Sequence, residues 1–537
     1  MAAQAVPLRG THRRRSLPAR NRAPCRVDYF PADQWLKIHS RITMKSQSRY
    51  KTGSPLRESF PKNALREAKS FGLQIKQRDT ADRKDCRKDP VISIDPSSAL
   101  DLDDAFSLEI AGRKRWRLRI HVADVSHYVK ANSALDREAR LRGNSTYLVD
   151  RVIPMLPQTL SNGLCSLHPN ADRLTKCVEF TLTNEGRVLE TAFFSSVICS
   201  QRRFSYDEAM SIIRNNQRGR LENMLRNADR LARKIRARRL NSGSLEFPSR
   251  ETYLHLDRQG RVTAVEPVLH NRAHQLIEEF MLLANEAVAI RLNRLERVSI
   301  HRVHERPDPV RLKAFRGSLR LHQIPCGNLT SRREIQGVMK KLSNTSAGPA
   351  LQIGFLRSLP RAYYTTDPKG HFGLAKSHYA HFTSPIRRYA DLLVHRSLFE
   401  GKAARPDDLY RMAEHLSATE KNSSDAERQS KRSKLCDYLA HRLGRGERAP
   451  HDALVTSICS FGILVEVPGL GISGLIPRRL LKRGRYHLNL PQQEARNRYK
   501  GAKISPGCSI KVTVCAVDKE KQQIEFSLCS TKGTPPK

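Results

Sequence analysis

No uninterrupted apolar run in this 537-residue chain approaches the roughly 20 residues that a bilayer-spanning helix needs, which excludes a helical membrane protein. No CxxC pair occurs among its eleven cysteines, so neither a zinc site of the usual spacing nor a thioredoxin-like motif is supported. Reduced, mostly buried thiols of an intracellular protein are expected instead. Internal repeats and long low-complexity tracts are missing too. Acidic residues are scarce, 53 Asp and Glu against 96 Lys and Arg, for a formal net charge of +43. Such an excess repels itself unless a polyanion neutralises it, so nucleic acid is the leading partner before any motif is read. The N-terminus lacks the long apolar core of a secretory signal. No acid precedes Asp28, among Arg9, Arg13, Arg14, Arg15, Arg20, Arg22 and Arg26. A basic tail, a later start at Met44 and an organellar transit peptide all fit that composition, with the cytoplasm the expected location and an organelle the alternative.

What is present organises into three regions. Residues 1–88 read as a basic, weakly structured extension in which only Asn63 to Lys69 has helical character. From Val91 the texture changes: Val91 to Ile94 and Trp116 to Val122 have the β-branched, partly alternating pattern of strands. Amphipathic helices follow over Leu221 to Arg239 and His274 to Leu292, where Leu276, Phe280, Leu283 and Ala287 recur near helical spacing. Strands and helices mix through residue 445, which predicts one large α/β domain over 89–445. A charged helix from Pro406 to about Arg442 then hands over to short alternating strands, Leu454 to Val467 and Ser509 to Leu528, separated by glycine turns. A small OB-type β-barrel over 450–530 is expected, with a basic loop of Arg478, Arg479, Lys482, Arg483 and Arg485 between its strands.

The segment from Ile94 to Ala105 carries four carboxylates, Asp95, Asp101, Asp103 and Asp104, within ten residues and just after a strand. In a half-buried site these repel one another unless cations lie between them, and hard oxygen ligands suit magnesium or manganese. Asp101 and Asp103 are placed to point to one side of an extended segment, with Asp104 turned to the other. Two ions about 4 Å apart held this way would activate a water and stabilise the leaving oxygen of a phosphoryl displacement. A solvated acidic loop and a structural calcium site are the alternatives, but the EF-hand spacing is absent. In the second block, His381 to Asp391, Pro385 is expected to start a helix whose N–H groups face an anion. Arg387 or Arg388 is then available for a forked phosphate contact. Pairing with Asp391 is the plainer reading of the same arginines.

These blocks, with His121-Val122-Ala123-Asp124-Val125, Ile153 to Pro157, Leu164 to Leu167, Ile277 to Asn285 and Gly370 to Gly373, occur in an order that resembles the ribonuclease II/ribonuclease R (RNB) exoribonuclease family over about residues 89–440. The tail resembles an S1-type RNA-binding barrel. The resemblance implies a processive hydrolase that takes single-stranded RNA 3′ end first and releases nucleoside 5′-monophosphates, using magnesium, with manganese as an alternative ion, and working as a monomer. It implies that Asp95, Asp101, Asp103 and Asp104 are the metal and catalytic carboxylates and Arg387 the catalytic arginine. It further implies that Tyr147 and Phe247 clamp the terminal bases and that Tyr206 and Glu278 line the last nucleotides, with Arg388 beside them. In the barrel, Phe461 is an aromatic suited to base stacking. His121 and His304 are expected to be structural.

Two departures from the family stand out. Its members usually carry two cold-shock barrels ahead of the catalytic domain, and the 88 residues before it here show no such β-rich pattern. The barrel also has Pro477 after Ile476 where S1 domains commonly have a histidine. The rival reading is a catalytically idle RNA-binding protein of the same fold, which should have lost one or more of the acids. A nuclease that also cuts DNA is a third.

Overall fold

A computed structural model of the chain describes residues 56–529 except 216, 248–250, 346, 402–404, 484–485, 491–492, 500 and 502. The arginine-rich segment before Asp28, Cys25, Met44 and Arg485 lie outside the described residues, as do the side chains of Lys482 and Arg483. The α/β expectation is met. In chain order the first strands are β1 (Lys84–Asp85), β2 (Ile92–Asp95), β3 (Asp104–Ile110), β4 (Arg115–Ala123), β5 (Thr146–Tyr147), β6 (Val152–Ile153), β7 (Asp172–Thr183), β8 (Val188–Cys199) and β9 (Arg202–Ser205). Seven of them form one sheet in the order β1-β8-β7-β4-β3-β2-β9, with β5 and β6 a separate hairpin. Only the β1–β8 and β2–β9 pairs are parallel.

Period-2 alternation explains why both faces of this sheet are covered. Leu118, Ile120 and Val122 of β4 are fully buried and join Phe106, Phe180 and Phe280 in one core. That core lies beneath the helices Tyr206–Asn215, Arg220–Asn241 and Arg272–Arg294. Ala105 and Ala123 face the other way, into a second core with the helices Lys62–Ser70, Ala134–Arg142 and Tyr389–Phe399. Burying one side chain of the size of Phe280 stabilises the fold by roughly 1.5–3 kcal/mol, and its edge-on contact with Phe106, at 5.2 Å, ties helix to sheet. The helix Arg272–Arg294 starts where Asn271 accepts hydrogen bonds from the Ala273 and His274 N–H groups. This fixes the phase of Glu278 and Asn285, two turns apart and on one face.

Residues 56–88 differ from the sequence expectation of a weakly structured extension. Ala64 and Ala68, on the helix Lys62–Ser70, are buried in the second core together with Cys86, and Arg57 forms a two-pronged ion pair with Glu138. The helix falls where Asn63 to Lys69 showed helical character; its small side chains let it pack closely although its exposed side is charged, and it is this packing that composition alone hid.

The barrel is closed, in the order His451–Cys459, Gly462–Val467, Ile472–Pro477, Gln523–Leu528, Ser509–Asp518. Gly462 is required where the first turn closes, because a Cβ there would run into the Ile476 carbonyl oxygen. The helix Pro406–Gly444 delivers Leu435, Cys436 and Leu439 into the barrel core, joined by Leu254 from a hairpin of the catalytic domain. The basic loop is not a loop: Arg478–Arg483 is a short helix anchored by buried Leu481, and Arg479 is paired with Glu525. Among the described residues no helix is long and apolar enough to cross a membrane. Every described cysteine is free. Cys86, Cys165, Cys177 and Cys436 are buried and the others half-buried, so burial is less complete than expected.

Candidate active site

Strand β2 ends at Asp95 and its antiparallel neighbour β3 begins at Asp104, so the first and last acids lie at the same end of adjacent strands and a tight loop carries the other two. The loop is pinned from several sides. Ser166 Oγ accepts the Leu102 N–H at 3.0 Å and donates to the Leu100 carbonyl at 2.7 Å, and the Ala123 N–H donates to the Asp103 carbonyl at 2.9 Å. Arg203 donates to the carbonyls of Pro96 and Ser97. All four carboxylates line one cavity of about 440 Å³, together with Tyr147, Tyr206, Glu278, Arg387 and Arg388. The expectation that Asp104 turns away from Asp101 and Asp103 is therefore corrected. The extended run does not continue through the loop, because regular strand begins only at Asp104.

Within the cavity the acids have different partners. Asp101 accepts the Tyr147 hydroxyl at 2.8 Å. Asp103, only 4% exposed, accepts the Ile386 N–H at 2.8 Å and Arg387 Nε at 3.3 Å. Asp95 Oδ2 is buried with no hydrogen-bond partner. Burial lifts the Asp95 carboxyl to about 6 against the pull of the Arg203 guanidinium. Burial, and then the charge of Asp95, lifts Asp104 to about 7. Asp103 is also pushed well above the ordinary range, because its burial outweighs Arg387 and the Ile386 N–H. Asp95 and Asp104 thus form a like-charged pair with one bare buried oxygen, a donor set that fits a hard divalent cation. Asp101 and Asp103 already have protein partners. Among the described residues no three Asp, Glu, His or Cys side chains gather into a complete metal cage.

The second block is built differently from the sequence expectation. Pro385 begins a turn, closed by the Arg387 and Arg388 N–H groups on the Ser384 carbonyl, and the helix starts only at Tyr389. The Ile386 N–H that a helix N-terminus would have offered to an anion is taken by Asp103. Arg387 remains half-exposed, held by Asp103 and by Ser384 Oγ at 3.2 Å. Arg388 turns to the fully buried Asp391, at 2.8 Å, as the plainer reading had it.

The aromatic residues separate. Tyr206 lines the cavity with its ring stacked on His274, 3.7 Å away and 9° from parallel. Tyr147 lines it as well. Phe247 does not: it packs against Phe355 at 5.9 Å, in a cluster formed with the helices Pro309–Leu321, Arg332–Ser343 and Gly348–Ser358. Phe461 stands on the barrel, 56% exposed. Glu278 faces the cavity unpaired by Arg239, which binds the neighbouring buried Glu279 instead. His121 hydrogen-bonds Ser196 inside the sheet, and His304 bridges the Pro360 carbonyl and the Gly373 N–H. Both are structural. Cavity residues that sequence reasoning did not single out are Asn285, Tyr379, His381 and Thr383. Three of these fall inside the ordered blocks, which was the available signal.

Comparison with known proteins adds to this geometry. The RNB domain profile matches residues 83–402 and the S1 RNA binding domain profile residues 451–528. The chain belongs to the RNB-domain family. It is 36% identical over 497 residues to Ribonuclease R of Thermotoga maritima, covering 87% of this chain and 68% of that protein. It is 35% identical over 474 residues to Ribonuclease R of Vibrio cholerae, covering 84% of this chain but only 57% of that one. The RNB fold here is similar to Mycoplasma genitalium RNase R in complex with ribose methylated single-stranded RNA. That match has a TM-score of 0.81 at 26% identity and covers 88% of this chain and 76% of that one.

Proposed function

We propose that the protein is a divalent-metal-dependent 3′-to-5′ exoribonuclease that hydrolyses single-stranded RNA processively to nucleoside 5′-monophosphates. The observation that carries this reading is the convergence of Asp95, Asp101, Asp103, Asp104 and Arg387 on one cavity. An RNA-binding protein that had abandoned catalysis would have no reason to keep a set of acids whose burial is so costly.

Asp95 and Asp104 are the residues that would hold magnesium, or manganese. The ion would supply Lewis-acid activation of water and of the scissile phosphate, and any second ion would have to be completed by the substrate's own oxygens. The chain's own groups do the rest. Arg387, fixed by Asp103, presents its guanidinium to the phosphate and offsets the charge that develops there. Asp103 acts as the anchor of Arg387 and of the turn behind it. Tyr206, braced by His274, offers a flat face and a hydroxyl that burial keeps protonated. Glu278 is placed to accept from a ribose hydroxyl. Phe461 and the surplus positive charge of the surface hold the incoming strand, which makes binding strongly salt-dependent. The test is a cleavage time course on single-stranded RNA with magnesium, in which Asp104→Asn should abolish cleavage while RNA binding persists. Equal loss of both would contradict the assignment.

A further inference from the structure

The wall of the cavity formed by Asn285, Tyr379, His381 and Thr383 carries no formal charge. It is held rigidly from behind. His381 Nδ1 is 2.8 Å from the hydroxyl of Tyr364, a residue 5% exposed. The imidazole sits between two ring edges, that of Tyr364 at 5.6 Å and 77° and that of Tyr379 at 5.9 Å and 80°. Asn285 donates to the Tyr379 hydroxyl at 3.1 Å and accepts the Phe382 N–H at 2.8 Å, so one amide fixes both the tyrosine and the segment that carries His381. With Nδ1 engaged, Nε2 is the ring's remaining polar atom, and no hydrogen bond to it is formed among the described residues. Burial, with Arg388, Arg302, His371 and Arg387 nearby, keeps the ring neutral.

A neutral wall is a poor place for phosphate, which is drawn to Arg387 and to the side of the cavity that binds cations. It suits a hydroxyl, which donates or accepts as the imidazole tautomer requires. We infer that His381 determines specificity for RNA, its Nε2 hydrogen-bonding the 2′-hydroxyl of a ribose in the cavity. The inference deepens the exoribonuclease reading and rests on it. Facing a deoxyribose, Nε2 would be left unpaired in a confined site, which should slow that step by roughly ten- to a hundredfold.

The test uses the full chain with magnesium under single-turnover conditions. The substrates are an RNA oligomer and versions carrying one 2′-deoxynucleotide at each of the three 3′-terminal positions in turn. His381→Asn keeps a polar atom where Nδ1 meets Tyr364 and removes Nε2, whereas His381→Gln restores a polar atom at the Nε2 position. The wild type should discriminate against deoxyribose at one position by about ten- to a hundredfold. His381→Asn should lower that ratio severalfold at the position His381 reads, with Glu278 accounting for what remains, and His381→Gln should recover part of the loss. Because each ratio is taken within one preparation, a partly folded variant does not distort it. A wild type without discrimination, or a ratio in His381→Asn equal to the wild type's at every position, would overturn the inference. A wild type that leaves the all-RNA oligomer intact would instead overturn the exoribonuclease reading.

Discussion

Asp104→Asn should make the metal-free protein more stable at alkaline pH, although it removes a residue of the site. In the folded chain burial and the Asp95 charge raise the Asp104 carboxyl from 3.8 to about 7, whereas in the unfolded chain it titrates near 3.9. The folded protein therefore holds a proton that the unfolded chain has already released between about pH 4 and pH 7. Stability linked to this group is greatest at the acid end of that window and falls as pH rises through it. Each tenfold displacement of a proton equilibrium is worth about 1.4 kcal/mol, so on the order of 2–4 kcal/mol is at stake at pH 8 once the shared repulsion with Asp95 is allowed for. The assay is urea unfolding in chelator at pH 5 and pH 8, repeated with magnesium. Asp104→Asn should exceed the wild type by on the order of 2–4 kcal/mol at pH 8 in chelator, with a smaller gain at pH 5. Magnesium should raise the wild-type midpoint at pH 8 and leave the variant's nearly unmoved. A variant less stable than the wild type at pH 8 in chelator, or an equal response of both proteins to magnesium, would refute the reasoning.

Other substitutions separate anchors from working groups. Asp103→Ala orphans the buried Ile386 N–H and should cost about 1–3 kcal/mol by denaturant unfolding. Asp103→Asn keeps an acceptor there and should lose activity through Arg387 with a smaller stability loss. Glu279→Gln removes one of the two carboxylates that pair with buried Arg239, Glu246 remaining, and should destabilise by about 1–3 kcal/mol; Glu278→Gln, one residue away, should leave the unfolding midpoint in place and slow cleavage. Phe461→Ala, at an exposed position, should weaken single-stranded RNA binding by about 1–3 kcal/mol in a filter or anisotropy titration with no change in thermal midpoint.

The acid segment was legible in the sequence because its physics is local. Four carboxylates in ten residues after a strand point to a cation whatever the rest of the fold does. The large helices were legible for the same reason: Arg220–Asn241 and Arg272–Arg294 repeat their apolar positions at helical spacing, and Pro406–Gly444 reads as a long charged helix. What stayed hidden depends on contacts between distant segments. Nothing local tells that Asp103 spends its oxygens on Ile386 and Arg387, far along the chain, or that this pairing takes the N–H a helix start at Pro385 would have used. The contact of Phe247 with Phe355 is likewise made across the chain and shows in no local pattern. His381 lay inside a block that was read for its arginines. Its role depends on Tyr364 and Tyr379, which share no pattern with it.

The central claim is tested most directly by a time course on a 5′-labelled single-stranded RNA with magnesium, wild type beside Asp104→Asn, and a DNA oligomer of the same sequence alongside. The account predicts that full-length RNA gives way to one short labelled end product without a ladder of intermediates, that the DNA persists, and that the variant binds the RNA but does not shorten it. Intact RNA bound tightly and salt-sensitively by the wild type would contradict it, and would make the protein a binder that keeps the site without using it.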